Sequence, residues 1–304
     1  MGFQRALIKL TAEVIGQGKL GGKVLIIGKQ DICGTETQVR RWLHEAGLPP
    51  ALDCRVALNQ KPDYGGRGFI DDTSLFKLMG FQQADSLDYS DFEGANLIWD
   101  LNQPVPENWN NLGGQYDLVI DSGCTEHIFN VAQVFKNYHF FAKPGGVVIH
   151  ILPTSNFVDH GFYMFGPTLF HDYYSANRWK VLCSYLIRHR AYSEFGRRDV
   201  FVYTRSGALQ SVSVGGFDTR SYLTFVAVQK QNDSTCDAPV QQGFYEKTWV
   251  GNNSNNPGSN QFKERLTAWV KTLPPPIICL LLQVRAAWFR MRGVSCALKL
   301  YKSL

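Results

Sequence analysis

Residues Tyr116 to Gly146 constrain the fold more than any other stretch of the chain. The apolar run Leu118-Val119-Ile120 ends abruptly in Asp121, Ser122 and Gly123, the pattern of a parallel strand buried on both faces whose carboxyl end opens on a polar site. From Thr125 to His139, Ile128, Val131, Val134 and Phe135 recur at helical spacing. Lys143-Pro144-Gly145-Gly146 then breaks the chain before a second apolar run, Val147 to Ile151. The stretch therefore reads as one strand-helix-strand unit of an α/β sheet.

Three fragments of this unit carry a family resemblance. The order Tyr116-Asp117-Leu118-Val119, then Thr125-Glu126-His127-Ile128, then Lys143-Pro144-Gly145-Gly146 before a valine-rich strand resembles the fourth strand, following helix and fifth strand of class I S-adenosylmethionine-dependent methyltransferases. The resemblance covers about residues 23–230. It implies a doubly wound, mainly parallel α/β sheet of seven strands, a Rossmann-like methyltransferase fold, with S-adenosylmethionine as cofactor. It places the methyltransferase domain at 1–240 with an insertion at 48–80; the composition beyond it reads as a polar linker at 241–263 and a basic, amphipathic helical tail at 264–304.

At 304 residues, with 44% hydrophobic and 19% charged residues, the chain can bury a large core. Its seven cysteines form no Cys-x-x-Cys pair, which points to neither a disulfide framework nor a zinc site and suits a reducing cytoplasm. The net charge of +5 sits in the tail: beyond Glu264 there are Arg265, Lys271, Arg285, Arg290, Arg292, Lys299 and Lys302 and no acid. The rest is near neutral, so no basic face favours a nucleic-acid partner.

Along the chain, residues 1–15 interleave Arg5 and Lys9 with Phe3, Leu7, Leu10 and Val14, which suits an amphipathic helix packed on the sheet. Lys23 to Gly28 reads as a buried strand stopped by glycine, and Thr35 as the cap of a helix over 35–46 with Gln38 as its reciprocal partner. A strand, a glycine-bearing loop and a capped helix bring a ligand to a helix N-terminus. In the family this loop has three alternating glycines. Here only Gly28 is present, Gln30 and Ile32 fill the other two places, and Asp31 and Gly34 are the alternative contacts. The insertion at 48–80 reads as a surface excursion with a short helix over 73–79.

The strand over 84–88 ends in Asp88 and the strand over 96–100 in Asp100. The resemblance gives Asp88 the ribose hydroxyls, with Asp91 and Glu93 as runners-up, and Asp100 with the Leu101 backbone the adenine. It also places Ser122 and His127 on the cofactor's other side. The loop after the fifth strand, residues 153–174, concentrates His160, His171, Asp159, Asp172 and several tyrosines. A methyl acceptor at oxygen needs its proton removed, and histidine suits that at neutral pH. His160 beside Asp159 ranks first as base because Gly161 leaves it in an open turn; His171 beside Asp172 ranks second. No metal is expected from the spacing.

Residues 179–190 and 222–230 read as a closing antiparallel pair, residues 199–205 as a further strand and Gly215-Gly216 as a turn. In the tail, Arg285, Arg292 and Lys299 recur every seven residues beside Leu281, Val284, Trp288 and Met291. The apolar run is shorter than the roughly 20 residues that span a bilayer, so residues 277–304 suit peripheral contact with an anionic membrane or a protein partner. The expected function is methyl transfer to a small molecule or glycan. The rivals are a methyltransferase-like scaffold without cofactor and a nicotinamide-dependent oxidoreductase, the latter disfavoured by the missing glycines.

Overall fold

The computed structural model describes residues 2–189, 196–205, 209, 217–243, 269–270 and 272–304. Five strands, β1 (Gly22–Ile27), β2 (Phe81–Asp88), β3 (Leu97–Ile98), β4 (Tyr116–Ser122) and β5 (Ala142–Ser155), pair in parallel in the order β3-β2-β1-β4-β5. Beyond them β8 (Tyr222–Gln229) lies antiparallel between β5 and β6 (Lys180–His189), and β7 (Arg198–Val202) and β9 (Leu300–Ser303) complete the edge antiparallel. The doubly wound, mainly parallel sheet is the one that the sequence implies. It has nine strands among the described residues, against the seven expected. Of the two additions, β7 is the further strand expected over 199–205, and β9 comes from the tail.

Period-two alternation explains the unbroken apolar runs. Val24, Ile26, Leu118, Ile120, Val147 and Ile149 enter one core with helices α1 (Arg5–Gly18), α2 (Glu36–Glu45) and α4 (Asp72–Leu78). Leu25, Ile27, Val119 and Val148 enter the other with α5 (Val131–Phe141) and α6 (Pro167–Ala176). Burying each such side chain stabilises the fold by about 1.5–3 kcal/mol. The N-terminal helix packs as expected, with Lys9 Nζ 3.1 Å from Glu45. The capping box of Thr35 and Gln38 is present at α2.

Several local expectations are corrected. The helix expected over 125–139 begins at Val131, because the chain leaves a 3-10 turn at Thr125–His127 and passes through extended backbone at Ile128. There Asn130 binds Asn102, its N–H donating to Asn102 Oδ1 at 2.9 Å, and caps the helix. Residues 143–146 do not break the chain but begin β5 with a register shift opposite Tyr116. Gly146 is needed there, since a Cβ would stand 2.8 Å from the Tyr116 carbonyl oxygen. The 48–80 insertion is more than surface: after the short α3 (Pro62–Gly65), α4 buries Leu75, Phe76 and Leu78.

The tail is not helical throughout. Helix α7 (Pro275–Arg292) has no buried residue, but Val294 and Leu298 are buried, and β9 pairs with β7. Most of the linker expected over 241–263, and the turn at Gly215-Gly216, lie outside the described residues. Among the described residues no helix is long and apolar enough to cross a membrane.

Candidate active site

The carboxyl ends of β1 to β4 enclose a cleft of about 340 Å³, within the range of small-molecule sites. Gly28, Lys29 and Gln30 follow β1; Asp88 and Tyr89 follow β2; Trp99 to Asn102 follow β3; Gly123, Cys124, His127 and Ile128 follow β4. The order β2-β1-β4 makes the gap between β1 and β4 the point where the chain's winding reverses, the usual place for a ligand in an open α/β sheet.

The loop after β1 keeps the cleft open by a route of its own. Gly28 has φ +68°, a conformation that L side chains rarely adopt. Gln30 is buried and folded back, its side-chain amide donating to the carbonyl of Ile27 at 3.2 Å. Ile32 is fully buried and bridges Phe3. Ile32 is thus stowed away from the cleft, and Gln30 lines it with its side chain tied back to the Ile27 carbonyl. The loop is held from below by Asp72, whose carboxylate accepts the backbone N–H of Gln30 at 3.0 Å and pairs with Lys29 Nζ at 2.5 Å.

Two expected contacts are corrected here. Asp31 faces away from the cleft, paired with Lys61 Nζ at 2.9 Å and Asn59 Nδ2 at 3.1 Å. Gly34 is a packing residue: a Cβ there would stand 2.6 Å from the Trp42 ring.

Asp88 and Asp100 line the cleft at successive strand ends. Asp88 accepts the N–H of Lys29 at 3.2 Å and that of Tyr89 at 2.6 Å, one on each oxygen. Asp100 accepts from the Asn102 backbone at 2.9 Å and its side-chain amide at 2.8 Å, both on Oδ1. A carboxylate has about four acceptor positions, so each retains capacity for a ligand's hydroxyl or amino groups. Leu101 is buried in the same wall, its carbonyl accepting from Asn137.

The polar end of β4 is supported from beneath. Fully buried Asp121 accepts from Thr125 Oγ1 at 2.5 Å and the backbone of Cys124 and Thr125, and lies 3.4 Å from His150 Nδ1. His150 Nε2 is 2.6 Å from the Tyr174 hydroxyl. Such partners are required, since an unpaired buried charge costs several kcal/mol. Ser122 is buried and does not line the cleft; Gly123 and Cys124 take the place expected for it.

At the rim, Glu126, His127 and His160 converge. The Glu126 side chain is fully buried, while those of His127 and His160 are 47% and 34% exposed. Glu126 Oε1 lies 3.4 Å from His160 Nε2 and 3.9 Å from His127 Nε2, and the two imidazoles meet edge to face at 5.2 Å. Burial, reinforced by the charge of Asp121, lifts the Glu126 carboxyl to about 8. Burial also holds both histidines below their ordinary value, helped at His127 by His160. Burial thus disfavours the charged form of all three groups.

The turn carrying His160 is not open, as expected, but clamped. The N–H groups of Phe162 and Tyr163 donate to the Glu126 carbonyl at 2.8 and 3.2 Å. A Cβ on Gly161 would stand 2.8 Å from that oxygen. Asp159 is exposed and its neighbourhood to His160 in sequence creates no pair; Glu126 occupies the position beside the imidazole. His171 is corrected more fully. It lies on α6 edge to face with Tyr203, and Asp172 is engaged by Arg205 at 2.8 and 2.9 Å. Burial pushes the Asp172 carboxyl upward, but the Arg205 and Gly243 hydrogen bonds hold it below its usual range. Neither residue lines the cleft.

Lys29, Asp72, Trp99 and Glu126 are site residues that the sequence reading missed. Glu126 stood inside a recognised fragment, but its burial follows only from the 160s turn folding over it. A separate apolar cavity of about 720 Å³, lined by Phe129, Phe135, Tyr163, Met164 and Tyr173 among others, adjoins the same turn.

No family model matches the chain, and no curated protein does. Among solved structures it is similar to an S-adenosylmethionine-dependent methyltransferase from Clostridium acetobutylicum, with 11% identity over 74% of this chain and 91% of that one and a TM-score of 0.31. It is also similar to one from Mesorhizobium loti, with 13% identity over 73% and 98% and a TM-score of 0.36. At these values the likeness says nothing of ligand or activity, and the fold stands on the strand order and register given above.

Proposed function

We propose that this chain is an S-adenosylmethionine-dependent methyltransferase acting on a small-molecule or glycan acceptor at oxygen. The observation that carries this reading is the pair of carboxylates, Asp88 and Asp100, at successive parallel strand ends on one wall of the cleft. Asp88 suits the ribose hydroxyls of the cofactor, because each of its oxygens keeps acceptor capacity. Asp100 and the Leu101 backbone suit the adenine, and Gly28 with Gly123 and Cys124 lines the path toward the methionine part. When bound, the cofactor supplies an electrophilic methyl group on sulfur.

The chain's own residues do the rest. His160 is read as the base that takes the acceptor's proton, with Glu126 rather than Asp159 beside its imidazole. His127 completes the rim, and the aromatic turn at 157–165 excludes water and orients the acceptor. The apolar cavity lined by Phe129, Tyr163 and Met164 offers room for an acceptor with a hydrophobic part. The test is transfer of a tritiated methyl group from S-adenosylmethionine to fractionated small molecules and glycans. Incorporation that depends on His160 supports the reading. A chain that binds the cofactor and labels no fraction argues for a binding protein.

For the tail, the reading is peripheral contact with an anionic membrane through α7. Leu280, Leu281, Leu282, Val284, Trp288 and Met291 are exposed on a helix whose charged residues are all arginines, a composition suited to an anionic surface. Flotation with anionic vesicles tests it: Leu281→Glu with Trp288→Glu should abolish co-flotation, and unchanged co-flotation contradicts it.

A further inference from the structure

We propose that Glu126, His127 and His160 form a binding site for one divalent first-row transition-metal ion at the rim of the cleft. One carboxylate oxygen and one nitrogen from each histidine lie within 4.8 Å of one another. Ligand atoms bound to one such ion at about 2.0–2.2 Å stand roughly 3.0–3.5 Å apart. The 3.4 Å between Glu126 Oε1 and His160 Nε2 fits that spacing as it stands. The 3.9 Å to His127 Nε2, and a separation of up to 4.8 Å between the histidine nitrogens, need His127 to turn inward, a movement open to a half-exposed side chain.

The carboxylate is what calls for a ligand. Glu126 is fully buried, and among the described residues neither of its oxygens accepts a hydrogen bond; His160 Nε2 is likewise without one. Buried polar groups ordinarily have such a partner, and a bound cation satisfies both atoms at once. The rest of the site is built to hold them together. Hydrogen bonds from Phe162 and Tyr163 fasten the His160 turn to the Glu126 carbonyl, and Gly161 admits the close contact that this needs.

The ligand set also selects the ion. Two imidazoles and one carboxylate suit zinc, iron, manganese or cobalt, whereas magnesium and calcium prefer oxygen alone. Three protein ligands leave at least one coordination position open, as in catalytic rather than structural sites. On the methyltransferase reading, the open position is where an acceptor's oxygen would sit, next to the cleft that His127 lines; His160 Nε2 would then hold the ion instead of taking the acceptor's proton, and coordination to the ion would make that proton easier to lose. The ligands come from the loops after β4 and β5, so no short-range spacing announces them in the sequence.

The test uses the full chain stripped with chelator and titrated with Co²⁺, whose visible d–d absorption reports ligation. The expected result is one equivalent bound, displaced by Zn²⁺, with affinity lowered at least about 100-fold in His160→Ala and His127→Ala. Glu126→Gln should lower it too, and melting curves of the metal-free variants show that each is folded. Absence of a d–d band, or equal titration of wild type, His160→Ala and His127→Ala, overturns the site. Calorimetry of the metal-free chain with S-adenosylmethionine is run beside it, so failure of the metal site and failure of the methyltransferase reading are separate results.

Discussion

The carboxylate of Asp72 accepts the backbone N–H of Gln30 at 3.0 Å while pairing with Lys29 Nζ at 2.5 Å. A helix of the 48–80 insertion thereby sets the path of the loop that opens the cleft. Asp72→Ala leaves Lys29 and the Gln30 N–H without their partner. Removing one member of a buried charged pair costs on the order of 3 kcal/mol. The variant should melt several degrees lower and bind S-adenosylmethionine at least about tenfold more weakly, measured by calorimetry and differential scanning. Wild-type affinity would show that the loop holds itself.

Gly161→Ala tests the clamp on the His160 turn. Its Cβ would stand 2.8 Å from the Glu126 carbonyl oxygen and 3.0 Å from Glu126 Cγ, and neither is the free end of a flexible side chain. We expect a loss of about 1–3 kcal/mol in stability from overpacking and a fall in turnover as His160 is displaced. Thermal melts and the tritium assay check the two effects separately.

His160→Ala and His171→Ala should part company. The first removes the proposed base and should lower turnover by about 100-fold or more with little change in cofactor affinity. The second alters a side chain packed against Tyr203, away from the cleft, and should leave turnover near wild type. Equal loss in both would restore the sequence reading that treated the two as alternatives.

Much of this was legible in the sequence, for reasons that are local. Leu118 to Ile120 and Val147 to Ile151 announce buried parallel strands because both faces of each are apolar, and Thr35 announces a cap because its partner Gln38 is three residues away. Asp88 and Asp100 follow from strand ends. What stayed hidden depends on distant pairings. Asp72 reaches Gln30 across the insertion, β9 pairs with β7 from the far end of the chain, and Glu126 meets His160 only through the fold. The adjacency of Asp159 to His160 misled because neighbours along a chain need not face each other.

Stability should fall in mild acid. Burial holds His139 at about 4 and His189 at about 3, with Lys230 and Arg198 adding to the effect. In the unfolded chain both titrate near 6.5. Below that value the unfolded state binds more protons than the folded one, so stability declines from about pH 6.5 until the folded values are reached. Their contribution is complete above pH 6.5. His189→Gln should flatten the wild-type decline in melting temperature between pH 7 and pH 4; an identical slope in the variant would remove His189 from the explanation.

On the methyltransferase reading, the cleft at the ends of β1 to β4 takes S-adenosylmethionine through Asp88 and Asp100. Calorimetry with that cofactor tests it most directly. Hydrogen bonds to a charged group are each worth about 1.5–3 kcal/mol, so binding at one site should weaken by roughly 10- to 100-fold in Asp88→Ala and in Asp100→Ala. A folded wild-type chain that takes up no cofactor, or one whose affinity is unchanged in both variants, would contradict the account.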